Sequence, residues 1–208
     1  MKKLFVTILL LLAAISYAGQ KAITDKGEEV ILNSDGTWEY SDSARKAANI
    51  IKTNKTEFKR PADSSFLLKS TTNNSAYWIN TDKWFFEKGK SNPEAEYQFR
   101  LKGEDLYGMA ITERAEIPLE SLANIALINA KEKIPDIKIV EQEFRIVNGK
   151  KLIHMVLNGT YNGIKVIYSG YYYSDASGVT QLIAYTTTNL VDKYKPEMYD
   201  FLNGLTTH

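Results

Sequence analysis

The sequence contains no cysteine, and this absence is the first limit on what the protein can be. Without cysteine there is no disulfide framework, no thiol nucleophile and no thiolate ligand for a metal ion. The absence also excludes the lipidated cysteine that tethers bacterial lipoproteins to a membrane. A chain of 208 residues must therefore be stabilised by its hydrophobic core.

Histidine is scarce as well, because only His154 and His208 occur. His208 is the last residue, and chain ends are usually mobile, so His154 is the one candidate imidazole base. A single histidine in the main part of the chain, with no cysteine, disfavours a zinc site. We therefore expect neither a metal nor a cofactor. The sequence also lacks the serine elbow of hydrolases and the glycine-rich loop that binds phosphate.

Neither sign of charge predominates, since 26 Lys and Arg residues face 25 Asp and Glu residues. Nucleic acids and anionic membranes are bound by strongly basic surfaces. The charge balance therefore predicts that neither is a partner.

The first 18 residues have the pattern of a secretory signal peptide. Lys2 and Lys3 precede an apolar run over residues 4–15, and a small-x-small sequence ending at Ala18 predicts cleavage before Gly19. The apolar run is shorter than the roughly 20 residues that a membrane-spanning helix needs. We expect no transmembrane span after cleavage, and a protein that is periplasmic or secreted.

Three regions are expected after the signal peptide. Residues 19–40 predict an N-terminal β-hairpin, with turn residues at 33–36 and Trp38 on the returning strand. Residues 41–63 contain few large apolar side chains and predict a linker. Residues 64–208 predict the main domain.

The main domain is predicted to be α+β. Two short strands come first, at 66–70 and 76–80, and two longer strands follow at 94–102 and 106–114. A helix follows from Pro118 to about Ile134. Four more strands then follow, at 137–147, 152–161, 164–174 and 179–188.

The four later strands are joined by turns of two to four residues, which requires antiparallel neighbours. A terminal helix is predicted over 190–202, with a kink at Pro196 or a helix that starts there. The expected fold is an antiparallel β-sheet meander covered by two helices and preceded by the small β-hairpin.

This order of elements resembles the Mog1/PsbP-like fold, which occurs in photosystem extrinsic proteins, a nuclear transport factor and small bacterial envelope proteins. Three stretches carry the resemblance, residues 170–173, 181–186 and 201–205. It extends over residues 64–208. Known members mostly bind or support other proteins and share no active site that could be assigned to residues of this chain, so the resemblance concerns mainly the fold.

Thirteen tyrosines are the most unusual feature of the composition. Because side chains alternate along a strand, Tyr168 and Tyr172 are predicted on one face and Tyr171 and Tyr173 on the other. Tyrosine offers a rigid contact area with a hydrogen-bonding tip, although the same residues could pack in the core. The candidate ligand- or partner-binding residues are Trp38, Tyr168, Tyr171, Tyr172, Tyr173 and Tyr185.

Two pairs of carboxylates lie two residues apart, Glu94 with Glu96 and Glu141 with Glu143. Such pairs can serve as acid and base or can hold a hard cation. Glu141 and Glu143 alternate with less polar residues, so we expect them to form the solvated face of a half-buried strand, continued by Arg145.

These observations predict an exported, soluble binding or accessory protein that contacts another envelope protein or a small ligand, without catalysis. The alternative is an envelope hydrolase or lyase that uses His154 with Glu141 or Glu143. The two differ in the exposure of His154, since an enclosed imidazole cannot reach a substrate.

The predicted signal peptide is directly testable. Intact-mass spectrometry of the protein exported by its own host should give a chain that begins at Gly19. An intact Met1 terminus in the membrane fraction would contradict both the cleavage and the location.

Overall fold

The computed structural model describes residues 20–23, 29–34, 36–40, 51–89 and 92–208. The predicted signal peptide, its cleavage site and the first part of the predicted linker lie outside these ranges. The chain divides into two units, one ending at Ile50 and the other beginning at Ile51. In the part that is described, no helix is long and apolar enough to cross a membrane.

The N-terminal unit contains a three-stranded antiparallel sheet. Its strands are β1 (Gln20–Ile23), β2 (Glu29–Leu32) and β3 (Trp38–Tyr40), in that order. The pairing of β2 with β3 confirms the predicted hairpin, and Gly36 in its turn has a φ of +83°, which favours glycine. The sequence did not predict β1.

The second unit is dominated by strands. They are β4 (Lys52–Phe58), β5 (Phe66–Lys69), β6 (Ser75–Ile79), β7 (Trp84–Lys88), β8 (Tyr97–Leu101), β9 (Tyr107–Glu113), β10 (Lys138–Val147), β11 (Lys150–Tyr161), β12 (Ile164–Asp175), β13 (Gly178–Thr187) and β14 (Leu205–Thr207). Two α-helices accompany them, α1 (Leu119–Lys133) and α2 (Val191–Leu202). The unit is therefore α+β, as predicted.

Eight strands form one mixed sheet in the order β4-β10-β11-β12-β13-β9-β8-β7. The predicted meander from β10 to β13 is antiparallel throughout. Its first two turns, Asn148-Gly149 and Asn162-Gly163, have positive φ at both residues, the conformation that joins adjacent antiparallel strands. The exception to antiparallel pairing is β4, which lies parallel to β10 at the edge.

A smaller sheet has the order β14-β6-β5. Together with α2, it packs on one face of the large sheet. Members of this core from all three elements are Leu68, Tyr77, Leu152, Tyr171, Leu182, Met198 and Leu202. Gly108 of β9 permits a close approach here, because a Cβ at that position would lie 2.9 Å from the ring of Phe201 in α2.

The opposite face of the large sheet is covered in part by α1, which packs on β11 and β12. Residues shared between the helix and the sheet in this second core are Leu122, Ala126, Ile153, Met155 and Tyr172. Neighbours along β11 and β12 therefore belong to different cores. The sheet is buried on both sides at its centre.

Two predictions about local structure differ from what is observed. Residues 52–58 of the predicted linker form the strand β4. The edge of β10 would otherwise be unpaired, and the backbone of these seven residues pairs with it. The helix α2 begins at Val191 and contains Pro196 in its interior, so a start at Pro196 is wrong. Core packing of Tyr194 holds the helical turn that precedes the proline.

The place of β4 predicts a stability difference between two shortened chains. Residues 51–208 should unfold in one cooperative transition. Residues 60–208 should lose about 3 kcal/mol or more of unfolding free energy, because the edge of β10 is unpaired and the partly buried Phe58 is lost. Urea unfolding monitored by circular dichroism measures both, and equal stability would show that β4 contributes nothing.

Candidate functional site

Three tyrosines stack side by side across adjacent strands. Tyr168 of β12 lies directly opposite Tyr185 of β13, which in turn lies opposite Tyr107 of β9. The ring centroids of Tyr168 and Tyr185 are 5.4 Å apart, and those of Tyr185 and Tyr107 are 5.6 Å apart, both stacked. We call Tyr107, Tyr168 and Tyr185 the tyrosine row.

The tyrosine row continues onto the next two strands. Tyr107 pairs with Arg100 of β8, and Arg100 pairs with Phe85 of β7. Directly paired residues of neighbouring strands project from the same face. Arg100 is exposed and Phe85 is 48% exposed, so an aromatic and cationic surface extends across five strands.

The row is half-buried rather than enclosed. Each of its three side chains has intermediate exposure. Burial raises the pKa of Tyr168 to about 12 and, together with neighbouring Tyr107, also raises the pKa of Tyr185. The phenols of Tyr168 and Tyr185 are therefore neutral at physiological pH and can both donate and accept hydrogen bonds.

The other candidate tyrosines lie in the core. Tyr171, Tyr172 and Tyr173 are 0%, 2% and 7% exposed, so these three do not form a contact surface. The alternation of faces was predicted correctly, but both faces of β12 are covered at this point, by α2 on one side and α1 on the other. Trp38, in the N-terminal unit, is 51% exposed, with its ring edge-on to Tyr40.

Sequence reasoning missed Tyr107, Arg100 and Phe85. The strand β9 pairs with β13, which is more than sixty residues later in the chain, and no short turn indicates this pairing. Period-two alternation shows which residues of one strand share a face. It does not show which residue of a distant strand lies opposite.

His154 is fully enclosed, with an exposure of 0%. Its ring lies edge-on to Tyr171 and Tyr199, at 5.6 Å from each ring centroid, and Nε2 is 2.9 Å from Ser169 Oγ. Burial, with nearby Arg145 and Lys195, lowers the pKa of His154 to about 3. The imidazole is neutral at physiological pH and does not reach solvent.

Arg145 occupies the same face as His154. Its guanidinium lies 4.6 Å from the ring centroid of Phe58 and 5.1 Å from that of Tyr199. Arg145 Nε donates to Glu143 Oε1 at 2.5 Å, and Nη2 donates to Glu141 Oε1 at 3.5 Å. The prediction that Arg145 continues a solvated face is wrong, because its side chain is only 7% exposed.

Glu141 and Glu143 differ in exposure, with side-chain values of 46% and 19%. Glu143 lies directly opposite His154 on β11 and also accepts a hydrogen bond from Asn54 of β4 at 3.1 Å. The structure thus brings both carboxylates to the histidine that the sequence paired with them. They line a partly buried polar cluster rather than a solvated strand face.

The second carboxylate pair has a structural role. Burial raises the pKa of Glu96, but hydrogen bonds donated by Thr112, Thr71 and Ser70 outweigh it, so the net pKa is lowered. These donors lie at 2.5–2.9 Å from the carboxylate oxygens. Glu96 therefore joins the loop after β5 to β9, whereas Glu94 is exposed.

No protein-family model matches the chain, and no curated protein matches its sequence. Among solved structures, cyanobacterial PsbP (CyanoP) from Synechocystis is similar, with a TM-score of 0.50 and 13% identity over 71% of this chain and 95% of that one. A Pseudomonas aeruginosa protein of unknown function, PA94, aligns with a TM-score of 0.44 and 12% identity over 60% and 83% of the two chains.

LpqN, involved in cell envelope biogenesis of Mycobacterium tuberculosis, aligns with a TM-score of 0.36 and 12% identity over 82% of this chain and 99% of that one. The likeness to cyanobacterial PsbP confirms the predicted Mog1/PsbP-like fold. At these identities the likeness concerns the fold alone.

The role of Glu96 leads to a prediction with a defined pH dependence. Glu96→Gln should lower the unfolding free energy by about 2 kcal/mol near pH 6, because the amide presents N–H groups to donors that now face oxygen. The lowered pKa of Glu96 stabilises the folded state above the unfolded pKa of about 4.3, and this contribution is lost as the pH falls through the folded value.

The difference between wild type and Glu96→Gln should therefore shrink between pH 5 and pH 3. Urea unfolding at both pH values measures it, and Glu94→Gln is the matched control because it makes the same chemical change on an exposed carboxylate. A difference that does not change with pH would contradict the assignment.

Proposed function

We propose that this protein is an exported accessory protein that binds another envelope protein through the tyrosine row. The observation that carries the proposal is the stack of three half-exposed tyrosines on adjacent strands, continued by exposed Arg100 and Phe85. Tyrosine and arginine are among the residue types that supply most of the binding energy at protein interfaces.

The position of the row on a sheet face favours a protein partner. Small-molecule sites are usually concave and enclose most of the ligand. The tyrosine row instead runs across the strands on a sheet face, so its side chains can contact an extended surface of another protein. The side chains of Tyr168 and Tyr185 are half-buried and therefore keep exposed surface for a partner's groups.

The enclosure of His154 favours an accessory role over a hydrolase or lyase. A general base must come within hydrogen-bond reach of the proton that it removes. The ring of His154 is buried against Tyr171 and Tyr199, and its pKa is far below neutrality. A substrate would have to displace core residues to reach it.

Export is the part of the proposal that depends on the sequence alone. The signal-peptide pattern over residues 1–18 supports it, and cleavage there would leave a chain with 24 basic and 25 acidic side chains. Such a balanced charge suits protein contacts better than contacts with anionic polymers.

Crosslinking in the envelope of the host tests the proposed surface. The mature chain should capture a partner, and the double variant Tyr107→Ser/Tyr185→Ser should abolish the capture. Each substitution removes an interface hot spot of about 2 kcal/mol, which weakens the affinity about thirtyfold. Arg100→Ala should weaken capture without affecting the core, since this side chain is exposed.

Trp38→Ser is the comparison variant, because it removes an exposed aromatic from the N-terminal unit. Capture should survive this change. Loss with Trp38→Ser alone would assign binding to the N-terminal sheet, and unchanged capture by the row variants would overturn the proposed surface. Failure of wild type to capture any protein would favour a small ligand instead.

A further inference from the structure

A second candidate site lies on the face opposite the tyrosine row. The nitrogen and oxygen atoms of Glu141, Glu143 and His154 that could ligate a metal ion all lie within 4.8 Å of one another. These residues come from the neighbouring strands β10 and β11. The cluster is independent of the proposed partner surface, because His154 and Leu157, which lies opposite Tyr168, project from different faces of β11.

A β-bulge creates the cluster. The register between β10 and β11 shifts between Ile139 and Glu141, so Ile139 lies opposite Leu157 and Glu141 lies opposite Val156. Without the extra residue, Ile139 and Glu141 would share a face. The bulge leaves Ile139 against the core under α1 and directs Glu141 to the side of His154.

The second ring nitrogen of His154 points into this cluster without a hydrogen bond. Nε2 is paired with Ser169 Oγ, whereas Nδ1 is buried, has no hydrogen-bond partner and lies 3.5 Å from Glu141 Oε1. A buried polar atom without a partner destabilises a fold by roughly 1–3 kcal/mol. Metal-binding histidines commonly engage one ring nitrogen in a hydrogen bond and present the other to the ion.

The charges of this cluster are balanced. Arg145 is paired with Glu141 and Glu143, and Lys195 also acts on His154, so it is the ligand atoms rather than a surplus of negative charge that favour a cation here. Arg145 bonds to Oε1 of each carboxylate, and among the described residues Oε2 of neither carboxylate is paired. Both Oε2 atoms are therefore open to a ligand, and Glu141 Oε1 is held only by the long 3.5 Å contact from Arg145. Glu141 is the exposed member of the cluster, with a side-chain exposure of 46%, whereas His154 is enclosed.

We propose that Glu141, Glu143 and His154 Nδ1 bind a divalent cation of the borderline class, for which Zn²⁺ is the probe. Imidazole nitrogen with carboxylate oxygen is a donor set of that class, whereas Ca²⁺ and Mg²⁺ prefer oxygen alone. Ligand atoms of a tetrahedral zinc ion lie about 3.4 Å apart. The observed separation of Nδ1 from Glu141 Oε1 is 3.5 Å. Water would complete the coordination.

The sequence disfavoured zinc because it contains one histidine apart from the C-terminal residue and no cysteine. That argument assumes a closed site of nitrogen and sulfur ligands. Three protein ligands with an open position are sufficient for zinc in proteins. The bulge and the pairing of β10 with β11 bring Glu141 to His154 as the third ligand. Neither the bulge nor the pairing forms a recognisable sequence motif.

The binding test uses the chain from Gly19 to His208, without an affinity tag and treated with EDTA. Calorimetric titration should show one Zn²⁺ bound per chain, and the melting temperature should rise with Zn²⁺ but not with Ca²⁺. Glu141→Gln should weaken Zn²⁺ binding at least tenfold. This variant should still fold, because the Glu141 side chain is half-exposed and Glu143 keeps the shorter ion pair with Arg145.

Two controls separate the site from adventitious binding. Glu87→Gln makes the same change on an exposed carboxylate of β7 and should leave the affinity unchanged. His208→Gln removes the only other histidine and should also have no effect. Equal affinity in wild type and Glu141→Gln, or binding that is lost with His208→Gln, would overturn the site.

Imidazole nitrogen resonances give a direct second readout. Since the chain has only two histidines, ¹⁵N spectra assign them with one variant. Zn²⁺ should shift Nδ1 of His154 much more than Nε2. No Zn²⁺-dependent shift of His154 would show that the cluster is an ion-pair network and nothing more. Neither result bears on the tyrosine row, so the two proposals fail independently.

Discussion

The buried guanidinium of Arg145 is the constraint on which this side of the fold depends. A charge removed from water must be paired where it lies, because the desolvation penalty amounts to several kcal/mol. Glu143 and Glu141 supply the opposite charge, and rings from β4 and α2 cover the guanidinium planes. One side chain thereby holds together the parallel edge strand, the start of the meander and the terminal helix.

The two faces of the large sheet differ in how completely they are covered. The face under α2 is closed by the helix and the small sheet, and it encloses His154 and Tyr171. The face that carries α1 is covered at β11 and β12, and the tyrosine row emerges beyond the helix on β12, β13 and β9. Proposed partner contacts and the proposed cation therefore use opposite sides of one sheet.

Prediction succeeded where the signal is local. The meander was predicted from turn residues such as Asn162-Gly163, which adopt the positive φ that a tight turn between antiparallel strands requires. The helix α1 was predicted from apolar residues at helical spacing that end at a proline. Prediction failed for β4, whose polar residues form a strand only because β10 offers an unpaired edge. It also misjudged Arg145, since no local pattern shows that aromatic rings from distant elements will cover it.

Four features could be predicted from the amino-acid sequence: the α+β class, the antiparallel meander, the alternation of the tyrosines and the scarcity of catalytic side chains. Each of these depends on composition or on neighbours along the chain. Tertiary structure alone decided which tyrosines are exposed, because exposure depends on where α1 ends on the sheet. It also decided that Glu141 meets His154, because a bulge reverses the face of every later residue in its strand, and that reversal is set by pairing with β11.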